Sequence, residues 1–327
     1  MMLAWEISWL VVVACFSIFL GGLLAIVGLP SWRSTMKAKR LPPGPKGVPL
    51  FGYLPFIRKP FHLAFNELSQ KYGPILRLRL GSKDVVVLND LASIREGLAN
   101  PDVLYRPEDF LFSYFGFKVQ YLEGNSINLF GAATNTVRSA ILWNLYIAAS
   151  DPDGHQARVQ REIDAVVGRE KAPCWEDRRR MPFTMASILE ALRWRTTAPV
   201  GIQRSAGRDT VIGGYDVPAG TFVIANLWSL HNDPAHWKNP SEYDPTRFLD
   251  RDGKELAEKP LAFLPFSVGR RACPGESLGL MEVFLYVTTL LQKFRVLPEE
   301  GNTVSLDAQH AFISVANDTQ RLRFVQR

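Results

Sequence analysis

The segment Pro265-Phe266-Ser267-Val268-Gly269-Arg270-Arg271-Ala272-Cys273-Pro274-Gly275-Glu276 gathers the residue types that do chemistry in this chain. Cys273 stands directly before a predicted helix whose first residue is Pro274, the type favoured at that position. Unpaired N–H groups and the helix dipole at such an end stabilise a thiolate. Gly269 permits a turn that residues with a Cβ resist, and Gly275 lets a flat ligand approach the backbone. Arg271 offers a cation to a carboxylate on that ligand, and Phe266 a hydrophobic lid over the sulfur. A lone cysteine of this kind is more often structural. Five spaced residues together describe a site for a thiolate-ligated haem.

Phe266, Gly269, Arg271, Cys273 and Gly275 meet the Phe-x-x-Gly-x-Arg-x-Cys-x-Gly signature, and here the chain resembles the cytochrome P-450 family. The resemblance runs from about residue 40 to 117 and from about 127 to the end. It implies a mainly α fold with a small β portion, a haem b iron held by Cys273, and a haem-propionate contact at Arg204. Glu190 and Arg193 alone read as a routine surface pair three apart on a helix. The resemblance makes them a buried Glu-x-x-Arg that forms a structural triad with Arg247. The Pro-rich hinge, His231-x-Asp233-Pro234-x-x-Trp237 and Leu290-Leu291-Gln292-x-Phe294 look like microsomal members that oxidise xenobiotics, steroids or fatty acids.

The family's helix over the haem carries a small-residue, acid and threonine pattern. Here it reads Gly131-Ala132-Ala133-Thr134-Asn135-Thr136. Thr136 holds the alcohol position, where a hydroxyl assists dioxygen, and Asn135 replaces the carboxylate. An amide exchanges hydrogen bonds but supplies no titratable proton. By their place in the family, Ala132, Thr197, Ala198, Val200 and Phe312 are expected pocket walls. The chain is also short for the family. A block is expected to be missing between about residues 118 and 125, with the Trp-x-x-x-Arg haem contact and the helices that roof the pocket. Trp175 and Arg179 match that spacing by chance.

The elements that must position these residues are set by periodicity. Pro60 to Tyr72 has helical spacing, and Ile75 to Leu80 with Asp84 to Leu88 reads as a hairpin around Gly81-Ser82. Ile127 to Ser150, Arg158 to Val167, Thr184 to Trp194 and Glu276 to Phe294 read as helices. Short strands with turns at Gly213-Gly214 and Pro218-Ala219-Gly220 fill Gln203 to Ala225.

The 327 residues are 47% hydrophobic and 21% charged, which excludes a disordered tail, a collagen repeat and a disulfide scaffold. The net charge of +6 would raise nucleic acid as a partner, but residues 1–66 hold seven basic residues and one acid and so carry the whole excess. Ile7 to Leu29 lacks charge and, at about 1.5 Å per residue, spans roughly 34 Å, enough to cross a bilayer. Trp5, Trp9 and Trp32 sit near its ends, and the basic flank on its C-terminal side keeps the rest of the chain cytoplasmic. Expected divisions are an anchor at 1–32, a basic Pro-rich linker at 33–59 that spaces the globular part from the membrane, and an internally truncated haem-binding domain at 60–327. Cys15, Cys174 and Cys273 fit a reducing compartment, and the sequon at Asn317 is expected unmodified.

Taken together, the expectation is a monooxygenase of the endoplasmic reticulum membrane. Its partners would be an NADPH-dependent flavoprotein reductase, a small lipophilic substrate, O2 and membrane lipid, with no nucleic acid. The alternatives are a reductase-independent isomerase or dehydratase and an inactive truncated form.

Overall fold

The computed structural model describes residues 40–107, 122–310, 314–316 and 319–327, with the backbone alone at 122–129, 310 and 316. The expected anchor, the start of the linker, Phe312 and the sequon's Asn317 lie outside these residues. Among the described residues no helix is long and apolar enough to cross a membrane.

Leu76 and Leu78 are buried while Arg77 and Arg79 point outward, the alternation of a strand with one covered face. This strand, β1 (Ile75–Leu80), turns at Gly81 with φ +60° and pairs antiparallel with β2 (Lys83–Leu88), Ile75 opposite Leu88. Val85 to Leu88 are all buried, so β2 is covered on both sides. Val85 and Val87 face Phe65 of α1 (Phe61–Tyr72); Val86 and Leu88 join Ile94 and Leu98 of α2 (Leu91–Ala99). The sheet continues with β6 (Phe222–Ala225) parallel to β2 and β3 (Arg204–Ser205) antiparallel to β6. The hairpin of β4 (Thr210–Ile212) and β5 (Tyr215–Val217) lies between them in sequence. Sequence periodicity missed α2. Its signal is the cap, where Asp90 accepts from the Ser93 N–H at 3.0 Å.

The described part of the linker is packed, not free-standing. Pro43 O accepts from Arg77 N at 2.8 Å, and Tyr53 N donates to Arg79 O at 2.6 Å. An edge strand's open backbone groups recruit this chain, so the spacer expected from the proline composition does not extend through residues 40–53.

The helical part is built on α3 (Leu122–Ser150), which begins five residues before the expected Ile127. It packs with α4 (Ala157–Val166), α5 (Pro182–Trp194) and α7 (Glu276–Lys293) around Ala148, Ile163, Ile188, Phe284 and Leu291. The short α6 (Leu227–His231) comes after β6. After α7 the chain makes β7 (Phe294–Pro298), paired antiparallel with β10 (Leu322–Gln326), and the hairpin of β8 (Ala308–His310) and β9 (Ser314–Ala316). Phe294, expected to end the helical stripe, instead opens β7.

Helix α5 carries Glu190 and Arg193, and its start is held from outside. Glu162 accepts from Phe183 N at 3.0 Å, from Thr184 N at 2.7 Å and from the Thr184 hydroxyl at 2.5 Å. A carboxylate there satisfies orphan N–H groups and complements the helix dipole. Glu162→Ala is therefore expected to lower the unfolding free energy by about 1–2 kcal/mol, read as a lower urea midpoint with an unchanged slope.

Candidate haem-thiolate site

Cys273 is solvent-exposed, in a loop closed by its own N–H, which donates to Phe266 O at 2.8 Å. Gly269 in that loop has φ +80°, and a Cβ there would come within 2.5 Å of Leu98 O. The turn therefore needs glycine for both its conformation and its approach to α2. Ser267 also has positive φ, +65°, a strained choice for a residue with a Cβ. Phe266 is partly buried and packs against the main core. The helix after the cysteine starts at Glu276, with Gly275 as its cap, so Pro274 lies outside the helix it was expected to open. A Cβ on Gly275 would touch Cys273 Sγ at 3.8 Å.

Three guanidiniums from three segments converge beside this loop. Arg204 is buried and donates to Leu98 O at 2.8 Å and Val268 O at 3.3 Å. Arg271 donates to Leu104 O at 3.0 Å, and Arg106 to Gln203 O at 2.8 Å. Among the described residues none of the three makes an ion pair. Burial, then Arg106 and Arg271, push Arg204 down to about 10. Burial, then Arg271, lower Arg106. Sequence reasoning missed Arg106, because its partners Ile202 and Gln203 lie 96 and 97 residues away along an aperiodic stretch.

The expected oxygen segment lies on α3, which crosses α7 where a Cβ on Gly279 would approach Val137 Cγ2 at 4.0 Å. Ala132 and Asn135 are exposed and Thr136 is half-buried. The Thr136 hydroxyl donates back to Ala132 O at 2.7 Å, leaving its oxygen free to accept. One turn on, Ser139 donates to Ser314 O at 2.8 Å, and Ser314 N donates to Thr197 O at 2.9 Å. This brings α3, the Thr197–Ala198 loop and β9 together. Val200 packs in the sheet-side core with Phe65 and Leu78.

Behind the loop, Glu190 and Arg193 are wholly buried and bidentate at 2.7 Å, with Arg247 Nε at 3.3 Å from Glu190 Oε1. Trp175 packs on Phe284, ring centroids 5.7 Å apart, with Arg178 over its face, which makes it part of the core.

The sequence profile of cytochrome P450 matches residues 42–120 and 116–323. The chain belongs to the cytochrome P450 family. This is a family of haem-iron oxidoreductases. Cytochrome P450 2U1 of Rattus norvegicus is 35% identical over 270 residues, covering 78% of this chain and 46% of that protein. Cytochrome P450 1B1 of Mus musculus is 38% identical over 195 residues, 58% of this chain and 35% of that protein. Steroid 17-alpha-hydroxylase/17,20 lyase of Squalus acanthias is 41% identical over 174 residues, 53% of this chain and 34% of that protein. The chain thus spans less than half the length of these cytochromes P450.

The donor set fits the family's haem: one accessible sulfur, a glycine turn that keeps side chains away, and cations without counter-charge among the described residues. Because Arg204 and Arg106 lose their proton more readily folded than unfolded, the cluster costs stability at every pH below about 10. Arg271→Gln should therefore leave the haem-free melting temperature no lower than wild type. The same change should weaken haem retention about tenfold, by removing one charge-assisted contact. Calorimetry and transfer of haem to an acceptor protein check the two halves.

Proposed function

We propose that this cytochrome P450 is a haem-thiolate monooxygenase that places one oxygen atom of O2 into a small lipophilic substrate. The observation that carries the reading is an accessible Cys273 beside three guanidiniums that, among the described residues, have no carboxylate partner. The steroid named for the Squalus acanthias relative supports the substrate class. Electrons come from an NADPH-dependent flavoprotein reductase. An N-terminal single-pass anchor holds the chain to the endoplasmic reticulum membrane, with residues 60–327 facing the cytoplasm.

Haem, when bound, supplies the activation of dioxygen. Cys273 supplies the thiolate, and Arg106, Arg204 and Arg271 hold the cofactor's carboxylates. The Thr136 oxygen can accept a hydrogen bond from a water beside the oxygen site. To pass a proton on, its hydroxyl releases Ala132 O. Asn135 orients water without titrating. The two matched stretches meet at 116–120, which supports an internal block missing near residues 118–125. The 78% exposure of Phe130 on α3 is consistent with the loss of helices that would cover it.

The test is the reduced, carbon-monoxide-bound spectrum together with turnover by NADPH and reductase. A thiolate-type red shift with NADPH-dependent product supports monooxygenation. The amide at Asn135 favours a second reading, a peroxide-rearranging isomerase or dehydratase, which would turn over a lipid peroxide with no reductase. Failure to retain haem would leave the inactive truncated form.

A further inference from the structure

His231 is a fully buried histidine at the end of α6, and its backbone and both ring nitrogens are engaged. Its carbonyl accepts from Arg193 Nη1 at 2.8 Å. Its Nδ1 lies 2.8 Å from the Thr196 hydroxyl oxygen, and its Nε2 lies 3.0 Å from Leu264 N. The partners dictate the tautomer. Thr196 gives its single hydroxyl hydrogen to Arg193 O at 3.0 Å, so it must accept from the ring, which puts a hydrogen on Nδ1. The Leu264 N–H can only donate, so Nε2 must be bare. Two separate contacts demand the same neutral form. Burial, then Arg193, push the ring down to about 3, so it stays in that form at neutral pH.

Leu264 begins the approach to the cysteine loop. Its carbonyl accepts from Ser267 N at 3.0 Å, at the residue with positive φ, and Phe266 O accepts from Cys273 N at 2.8 Å. The His231 ring also stacks on Phe263, centroids 6.1 Å apart. Through its carbonyl, and through its ring by way of Thr196, His231 therefore joins Arg193 of the buried pair to the residue that sets where the loop starts.

We propose that His231, as its Nδ1–H tautomer, is a positioning residue that fixes the Leu264–Cys273 loop to the Glu190–Arg193 pair and so sets the place of the Cys273 sulfur. The inference rests on the reading of Cys273 as the haem ligand for its functional meaning, and on the contacts above for its structural one. Replacing the ring by an apolar side chain leaves Leu264 N without an acceptor and loosens the loop. The amide oxygen of a glutamine at this position reaches the Nε2 position and restores the acceptor.

Hydrogen–deuterium exchange on the full chain, without haem, tests it. In His231→Leu, segment 264–273 should exchange about tenfold faster than wild type while α5 at 182–194 changes far less. His231→Gln should recover most of the protection. Unchanged exchange at 264–273, or a rise matched at 182–194, overturns the proposal. Selective 15N-histidine spectra of the unmutated chain give a second reading independent of any variant's folding. They should report hydrogen on Nδ1 of His231; hydrogen on Nε2 overturns it. With haem added, His231→Leu should shift the carbon-monoxide band away from the thiolate form and His231→Gln should keep it. A wild-type chain that retains no haem defeats the monooxygenase reading alone, because the exchange and tautomer results stand without cofactor.

Discussion

Arg193→Met is expected to lower the unfolding free energy by about 3–5 kcal/mol, enough to leave the chain largely unfolded at 37 °C. All five guanidinium hydrogens of Arg193 are used. Nε and Nη2 reach Glu190 at 2.7 Å, Nη2 also reaches Glu242 O at 3.0 Å, and Nη1 reaches His231 O at 2.8 Å and Pro240 O at 2.9 Å. Methionine fills much of the volume but strands the buried carbonyl of His231, the part-buried contacts of Pro240 O and Glu242 O, and the Glu190 carboxylate. That carboxylate would keep only Asp244 N at 3.0 Å and Arg247 Nε at 3.3 Å. A wholly buried carboxylate left with one long contact to a cation in place of a bidentate pair is what makes the loss large. Arg193→Met combined with Glu190→Leu should therefore be more stable than Arg193→Met alone, since the wholly buried carboxylate is gone and Arg247 keeps Asn239 O. Urea midpoints for wild type, both single variants and the double variant check this. A double variant no better than the single would mean that the carbonyls, not the carboxylate, carry the cost. Arg193→Lys should recover little, because one ammonium cannot replace a planar fork serving five acceptors.

This pair also marks what the sequence could and could not disclose. Glu190 and Arg193 three apart on a helix have the spacing of thousands of solvated pairs, and nothing local says they are buried. Their burial comes from the Asn239–Phe248 segment folding over α5, a long-range event with no periodic signature. The cysteine loop was legible for the opposite reason. Its constraints are local, with a positive-φ glycine, a cation and a thiol at fixed spacing, and each leaves a residue type behind. The β1–β2 hairpin was legible through strict alternation in Leu76-Arg77-Leu78-Arg79. Helix α2 was missed because it is short and announces itself only by the Asp90 cap. The Glu162 cap on α5 and the Arg106 contact are tertiary, as is the packing of Val200 on Phe65 and Leu78. The periodic stripe placed the start of α7 at Glu276, and only the expectation that Pro274 opens it failed, because Gly275, with φ −94° and ψ 13°, is the cap.

Cys273→Ser should separate the chemistry of the loop from its folding more sharply than any other substitution. The side chain is exposed and the loop is closed by the backbone N–H of residue 273, which serine keeps. The unfolding free energy should therefore stay within about 0.5 kcal/mol of wild type, as for other exposed positions without a special role. Loss of the thiolate should remove the red-shifted carbon-monoxide band altogether. It should also cut NADPH-driven turnover by at least about a hundredfold, beyond what losing an outer-shell partner of a metal site costs. Cys174→Ser is the matched control. That residue is half-buried before the Trp175–Arg180 turn, where its N–H donates to Asp177 at 2.9 Å, a backbone contact serine also preserves. It should keep both band and turnover. If Cys273→Ser instead kept the band, the sulfur seen by the spectrum would belong to another residue and the ligand assignment would fall. If it lost the band together with several kcal/mol of stability, Cys273 would be a structural thiol whose loss merely opens the loop. The contrast with Arg193→Met is the decisive one. A residue that holds the fold should take stability and spectrum down together, whereas a residue that holds the iron should take the spectrum alone.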